Sequence, residues 1–262
     1  MKITLLLLLE ILPFLCLAQT GQDSLRVKQP LETDRPDQTE SSSVVPLGTL
    51  QVESGFFWQV ERRKGQKITD VLYPTVLLRV GLLERMELRF ITEYCKSTLI
   101  NDRGATSKRG LNAMAVGTKI YITEEKGLIP EISLLGHLTL PSGSSEFRPT
   151  YVAPDFRLSL SHTLTNSLCL GYNLGYHWDG GTPEGTGIYT LSLAADISER
   201  SGAYVEVFGD KPEKGSWCHS ADAGFTFSPR YNIQLDVSMA VGITSASPDY
   251  YLNAGLSFRI PR

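Results

Sequence analysis

The sequence predicts an all-β chain that closes as a transmembrane antiparallel up-and-down barrel of about 12 strands. Three observations carry that expectation. Apolar and polar residues alternate one by one in stretch after stretch, the apolar set of those stretches holds no Asp, Glu, Lys or Arg, and the connections switch between short and long. Successive side chains of a strand point to opposite faces, so one-by-one alternation marks a strand with a single apolar side.

The first strand follows from GTLQVESGFFW: Leu50, Val52, Ser54, Phe56, Trp58 and Val60 share one face, and Gln51, Glu53, Gly55, Phe57 and Gln59 the other. In YPTVLLRVG, Val76, Leu78 and Val80 oppose Thr75, Leu77 and Arg79. In MELRFITEY, Leu88, Phe90, Thr92 and Tyr94 oppose Glu87, Arg89, Ile91 and Glu93. AVGTKIYIT sets Val116, Thr118, Ile120 and Ile122 against Gly117, Lys119 and Tyr121. EISLLGHLTL sets Ile132, Leu134, Leu138 and Leu140 against Glu131, Ser133, His137 and Thr139. DFRLSLS sets Phe156, Leu158 and Leu160 against Asp155, Arg157 and Ser159.

In the second half, Leu168, Leu170, Tyr172, Leu174, Tyr176 and Trp178 alternate with Cys169, Gly171, Asn173, Gly175 and His177. Tyr189, Leu191, Leu193 and Ala195 alternate with Thr190, Ser192 and Asp196. Ala203, Val205 and Val207 face away from Tyr204, Glu206 and Phe208. Ala221, Ala223, Phe225 and Phe227 oppose Asp222, Gly224 and Thr226, and Ile233 to Val241 set apolar odd positions against Gln234, Asp236 and Ser238. Finally Leu252, Ala254, Leu256, Phe258 and Ile260 oppose Asn253, Ser257 and Arg259.

The connections LLER, EEKGL, TLTN, SERS and SPRY are short. They interleave with ERRKGQK, CKSTLINDRGATSKRG, PSGSSEFRPTYVAP, DGGTPEG, DKPEKGSW and ITSASPD. Outer-membrane barrels have short turns on the periplasmic side and longer loops outside. An even strand count then puts both ends of the chain in the periplasm.

Amphipathic strands also build soluble sandwiches. Two features favour lipid on the apolar side. A Lys or Arg facing lipid at the bilayer midplane costs roughly 2–4 kcal/mol, which empties that face of charge. Aromatic residues also gather at strand ends, with Trp58, Tyr94, Tyr176 and Trp178 near the long loops and Phe227, Tyr231 and Phe258 near the turns, as in the girdles of membrane barrels.

The two ends agree. The opening MKITLLLLLEILPFLCLAQT has Lys2, an apolar run broken by Glu10, and Cys16 and Ala18 at the −3 and −1 positions of a cleavage site, which reads as a secretory signal peptide. Phe14 and Leu15 before Cys16 do not fit a lipid-modified cysteine. No later run is long and apolar enough for a spanning helix. The ending NAGLSFRIPR places Asn253, Gly255, Phe258 and Ile260 in the pattern of the terminal strand signal of outer-membrane barrels. The expected organisation is a signal peptide over residues 1–18, a polar N-terminal periplasmic segment or plug over 19–48, and a barrel over 49–262.

A net charge of −3 gives no electrostatic case for nucleic acid. Cys95, Cys169 and Cys218 are widely spaced and form no CxxC, so neither a disulfide framework nor a zinc site is indicated. No cofactor, metal site or catalytic set is expected. A metal at Asp34 and Asp37 would lack further ligands at a recognised spacing.

The stretch TDRPDQTESSSVVPLGTLQVESGF, followed by LRVGLLERMELRF, GTKIYI, LPSG, QLDVS and GLSFRI, closely resembles a bacterial family of outer-membrane transporters of the meta-pathway of phenol degradation. The resemblance spans nearly the whole mature chain. It implies an outer-membrane barrel, and with it a transport role.

Three functions follow as alternatives. In the first, a small solute passes through a lumen lined by Glu53, Arg79, Glu87, Arg89, Glu93, Lys119, Glu131, Asp155, Arg157, Glu206, Asp222, Asp236 and Arg259. Acids outnumber bases there, which favours cations or neutral polar solutes over anions; equally, these charges can pair and fill a narrow interior. Asp34, Arg35 and Asp37 of the leading segment are candidates to fold into the periplasmic mouth against Arg79 and Glu53, with a flexible lead as the alternative. In the second, the protein is an outer-membrane enzyme, for which Ser161–His162 and Ser220–His219 are poor candidates because adjacent strand residues face opposite ways. In the third, a structural or adhesive barrel binds through its long loops. The expected partners are outer-membrane lipid, a small-molecule solute and the barrel insertion machinery, and no nucleic acid.

Overall fold

The computed structural model describes residues 30–261, so the signal peptide expected over 1–18 lies outside the described residues. Among the described residues there are thirteen strands: β1 (Leu50–Arg63), β2 (Gln66–Leu83), β3 (Met86–Asn101), β4 (Gly104–Leu111), β5 (Ala115–Thr123), β6 (Glu131–Thr139), β7 (Ala153–Thr165), β8 (Leu168–Trp178), β9 (Gly185–Ser198), β10 (Ser201–Pro212), β11 (Cys218–Arg230), β12 (Ile233–Gly242) and β13 (Tyr250–Ile260). Consecutive strands pair antiparallel, except that β4 pairs only with β3 and β3 pairs directly with β5, and β1 pairs with both β2 and β13. Twelve strands therefore close into a ring, and β4 stands outside it. Closure satisfies every backbone group within the wall, which a lipid-exposed sheet requires.

The sidedness read from the sequence holds around the ring. Leu88, Leu134, Phe156, Leu174, Val205, Val237 and Leu256 are exposed outward, while Glu53, Arg79, Glu87, Lys119, Ser159, Asn173 and Ser257 are almost fully buried inside. Outward rings pair near the long-loop end, with Trp58 on Tyr250 and Tyr176 on Trp178 at centroid separations of 5.5 and 4.8 Å. The wall is a closed barrel with an apolar outer face, and its short turns and both described chain ends lie on one side.

Two expected loops are strand. ERRKGQK is the tip of a hairpin in which Lys64 and Gly65, both at positive φ, make a two-residue turn. CKSTLINDRGATSKRG carries the outer half of β3 and all of β4 but Leu111, paired from Cys95↔Gly110 to Asn101↔Gly104. The same β3 pairs through its inner half with β5. Lipid imposes no alternation on residues beyond the membrane, so these extensions lack the period-two signal.

Replacing Val237, exposed at the centre of β12, with Arg should lower the unfolding free energy in lipid vesicles by roughly 2–4 kcal/mol. Val237→Leu should stay within about 0.5 kcal/mol. Urea titrations of both variants measure the difference.

Candidate functional site

Residues 30–49 enter the barrel from the turn side and cross its lumen, bonded to inward side chains from most of the wall. The chain enters as Leu31 donates its N–H to the Tyr231 carbonyl and Arg259 donates to that of Pro30. It returns to the wall where Gly48 donates to the Gly81 carbonyl and Gly81 to that of Thr49. A Cβ on Gly81 would lie 2.1 Å from the Pro46 carbonyl oxygen, so the chain comes this close only because position 81 has no side chain.

Charge gathers on the β1–β5 side. Arg79, Arg89 and Lys119 are fully shielded from solvent, and the Asp34 carboxylate bridges all three at 3.2, 2.5 and 2.9 Å. Glu53 and Glu87 of the wall pair with Arg79 at 3.0 and 2.8 Å, and Glu87 with Arg89 at 2.9 Å. Glu40 of the segment takes the other arm of Arg89 at 2.8 Å. Asp34 also donates its backbone N–H to Glu53 at 3.0 Å, while Lys119 donates to the Ser41 carbonyl. Burial alone would raise the Asp34 pKa, but Arg79, Lys119 and Arg89 outweigh it and hold this carboxyl well below its ordinary value.

Arg35 reaches the opposite wall, pairing with Asp236 at 3.0 Å and donating to Asn253 at 2.7 Å. Its guanidinium lies over Gly55 and Gly255, cross-strand partners on β1 and β13. A Cβ on either would come within 2.6 Å of it, so the paired glycines form its seat.

The β9–β12 side is different in kind. Glu206 accepts from the Gln38 N–H and the Thr39 hydroxyl, at 2.8 and 2.5 Å, and Asp222 accepts from the hydroxyls of Tyr251 and Tyr204, at 2.5 and 3.3 Å. No Lys or Arg forms an ion pair with either carboxylate among the described residues. Asp37 is half-buried beside them, and desolvation together with the Asp222 charge pushes its pKa up to about 8. Glu40 rises to about 7, where burial and the neighbouring Asp34 outweigh Arg89.

Other sequence candidates lie at the edge of the cluster or away from it. Glu131 receives the Ser42 hydroxyl at 2.6 Å, Glu93 receives the Asn112 amide at 3.1 Å, and Asp155 and Arg157 pair with each other at 3.3 Å. His137 accepts from Arg89 Nε at 3.0 Å. The sequence reading did not single out several side chains that grip the segment. Asn173 both accepts from the Glu40 N–H and donates to its carbonyl, Ser133 donates to the Ser42 carbonyl, and Gln51 donates to that of Glu32. An amide at an inward strand position was the available signal for Asn173 and Gln51.

Open space remains in the lumen at two levels. On the long-loop side two adjoining cavities of about 310 and 260 Å³ share Gln38 and Phe57, and Phe57 and Phe208 flank Tyr251 at 5.1 and 6.3 Å. On the turn side a third cavity of about 290 Å³ is lined by Thr163, Cys169, Ala194, Gly202, Tyr204 and Thr226. Among the described residues no group of His, Cys, Asp or Glu is arranged to hold a metal ion.

The family described as "Putative MetA-pathway of phenol degradation" matches residues 33–260, from the crossing segment to the last strand. No curated protein sequence matches the chain. An outer membrane channel from Pseudomonas putida F1 has a similar structure, with TM-score 0.68 and 12% identity, covering 87% of this chain and 100% of that one. The translocator domain of the autotransporter NalP from Neisseria meningitidis follows at TM-score 0.54 and 11% identity, over 80% and 87%. At these identities the likeness is one of fold.

Two outcomes are expected at this site. Asp34→Ala leaves three buried cations short of their shared partner and should weaken seating of the segment by about 3–5 kcal/mol; protease accessibility of residues 30–48 in the folded barrel reports it. Seating should also depend on pH. With Asp37 and Glu40 raised above their ordinary values, the seated segment binds more protons than the released one between about pH 4 and pH 8. Seating is therefore strongest near the bottom of that window and is lost as pH rises, by at most about 1.4 kcal/mol per pH unit for each proton. Below it, protonation of Asp34 weakens seating again. Protease accessibility followed from pH 3 to 9 tests this, and Asp37→Asn should flatten the rise.

Proposed function

The chain belongs to that phenol-degradation family, and from this premise we propose that it is a channel for small solutes across the bacterial outer membrane, closed by its own residues 30–48. One observation carries the reading: a segment held largely by ion pairs and hydrogen bonds, which water and ions can replace, lines the cavities on the long-loop side, and a further cavity opens on the turn side. Displacing the segment would join those cavities without breaking the wall.

The charge and shape of the interior bear on the solute. Acidic residues outnumber basic ones, which raises the entry barrier for anions. The rings of Phe57, Phe208 and Tyr251 offer apolar faces beside Gln38 and Gln59, a lining that suits a small neutral aromatic such as a phenol. The family's description and the fold shared with the Pseudomonas putida channel support the same reading. The terminal strand β13, which closes the ring against β1, is the element we expect the barrel insertion machinery to handle.

Catalysis is not part of this reading. Ser161 shares a hydrogen bond with Ser42 inside the lumen, whereas His162 meets Tyr172 on the opposite face. His219 meets Tyr189 at 2.7 Å, and Asp179 caps the N–H groups of Gly181 and Thr182, away from His177. None of these sets aligns a nucleophile with a base.

Deleting residues 20–44 should raise single-channel conductance in planar bilayers severalfold, with a preference for cations over anions. An unchanged current through a correctly folded barrel would end the closure reading.

A further inference from the structure

The two tall hairpins carry cations to a place where the barrel itself has no need of them. β1 to β4 continue past the aromatic level as a four-stranded wing on the outer side of the membrane, and the register fixes which side chains share its faces. Trp58 stands opposite Val71, Val71 opposite Lys96, and Lys96 opposite Arg109. Trp58 faces outward, so Lys96 and Arg109 lie on the lipid-facing side at the height of the interfacial aromatic. Two residues further out the row is Val60, Thr69, Thr98 and Ser107; two further again, Arg62 stands opposite Lys67.

The outer face of the wing thus holds Arg62, Lys67, Lys96 and Arg109, with no Asp or Glu among the strand residues on that face. Arg62, Lys96 and Arg109 are exposed and Lys67 half-buried. Among the described residues only Arg62 of these four has an ion-pair partner, Asp249 at 3.2 Å. Like charges directly opposite on paired strands are unfavourable, and here it happens twice on one face. Strand neighbours about 5 Å apart bring two cationic heads within reach of one phosphate group. Basic clusters at the membrane surface attract anionic lipid headgroups for the same reason.

We propose that the outer face of this wing binds the phosphate groups of the anionic glycolipid of the outer leaflet, the lipid A of lipopolysaccharide. Lys96 and Arg109 take a phosphate at the interface, and Arg62 and Lys67 take a charged group further from the membrane centre. The contact is electrostatic, and bound lipid offsets the two cation–cation oppositions.

The test uses the mature chain in detergent micelles, titrated with bisphosphorylated lipid A and followed by native mass spectrometry. The wild type should bind it at least tenfold more tightly than the Lys67→Gln, Lys96→Gln, Arg109→Gln variant. A control with the same loss of charge on the turn side, Lys126→Gln, Arg200→Gln, Arg230→Gln, should bind like the wild type. Heat-modifiable gel mobility shows that each barrel is folded. Wild-type protein should bind dephosphorylated lipid A at least tenfold more weakly, and millimolar inorganic phosphate should not displace the bisphosphorylated lipid. Equal binding of the two lipids, equal binding by the wing variant, parallel loss in the control, or displacement by inorganic phosphate would each overturn the proposal.

Discussion

Three buried cations set the terms for the interior. Arg79, Arg89 and Lys119 project from adjacent ring strands into a space that excludes water, and each such ion costs several kcal/mol to desolvate unless it is matched. Glu53 and Glu87 match two of the three charges, so the wall alone is short of one carboxylate. Asp34 supplies it from the segment, on all three cations at once. Glu40 would then carry the cluster past neutrality, and burial together with the Asp34 charge raises its pKa to about 7. Wall and segment therefore complete one another electrostatically.

Across the lumen the segment meets carboxylates: Arg35 pairs with Asp236, while Glu206 and Asp222 are served by neutral donors of segment and wall. Gln38, Thr39, Tyr204 and Tyr251 supply N–H and O–H groups to Glu206 and Asp222. The polarity of TDRPDQTES follows the wall it touches: acids at 34 and 40 face the cations, a base at 35 faces Asp236, and amide and hydroxyl groups at 38 and 39 face Glu206.

The wall was legible in the sequence because lipid enforces a rule at every second residue. That rule gave the twelve ring strands, their inward and outward faces and the side on which the turns lie. It stops at the membrane surface, which is why GATSKRGL and ERRKGQK read as loops: their pairing rests on backbone ladders, with no apolar face to announce it. The charges of the segment were equally visible, but its partners were not. Asp34 meets Lys119, Arg35 meets Asp236 and Thr39 meets Glu206 across 85, 201 and 167 positions, and only ring closure brings them together. Gly55 reads as an ordinary inward position and Gly255 as part of the terminal strand signal until the register sets them opposite each other beneath Arg35.

The way the two parts are held bears on whether they can separate. Every ring strand is paired on both sides, so the wall owes none of its backbone ladder to the segment except where Gly81 meets Gly48 and Thr49. The segment owes its position to contacts whose net worth in water is about 1 kcal/mol per neutral hydrogen bond, and more where a buried ion is matched. Its attachment is thus concentrated in the Asp34 cluster and diffuse elsewhere, with Val45 and Pro36 its buried apolar contacts. A change in charge at that one cluster acts on the segment while leaving the barrel ladder intact. Release of the segment would therefore turn on a local contact, the carboxylate shared among three cations.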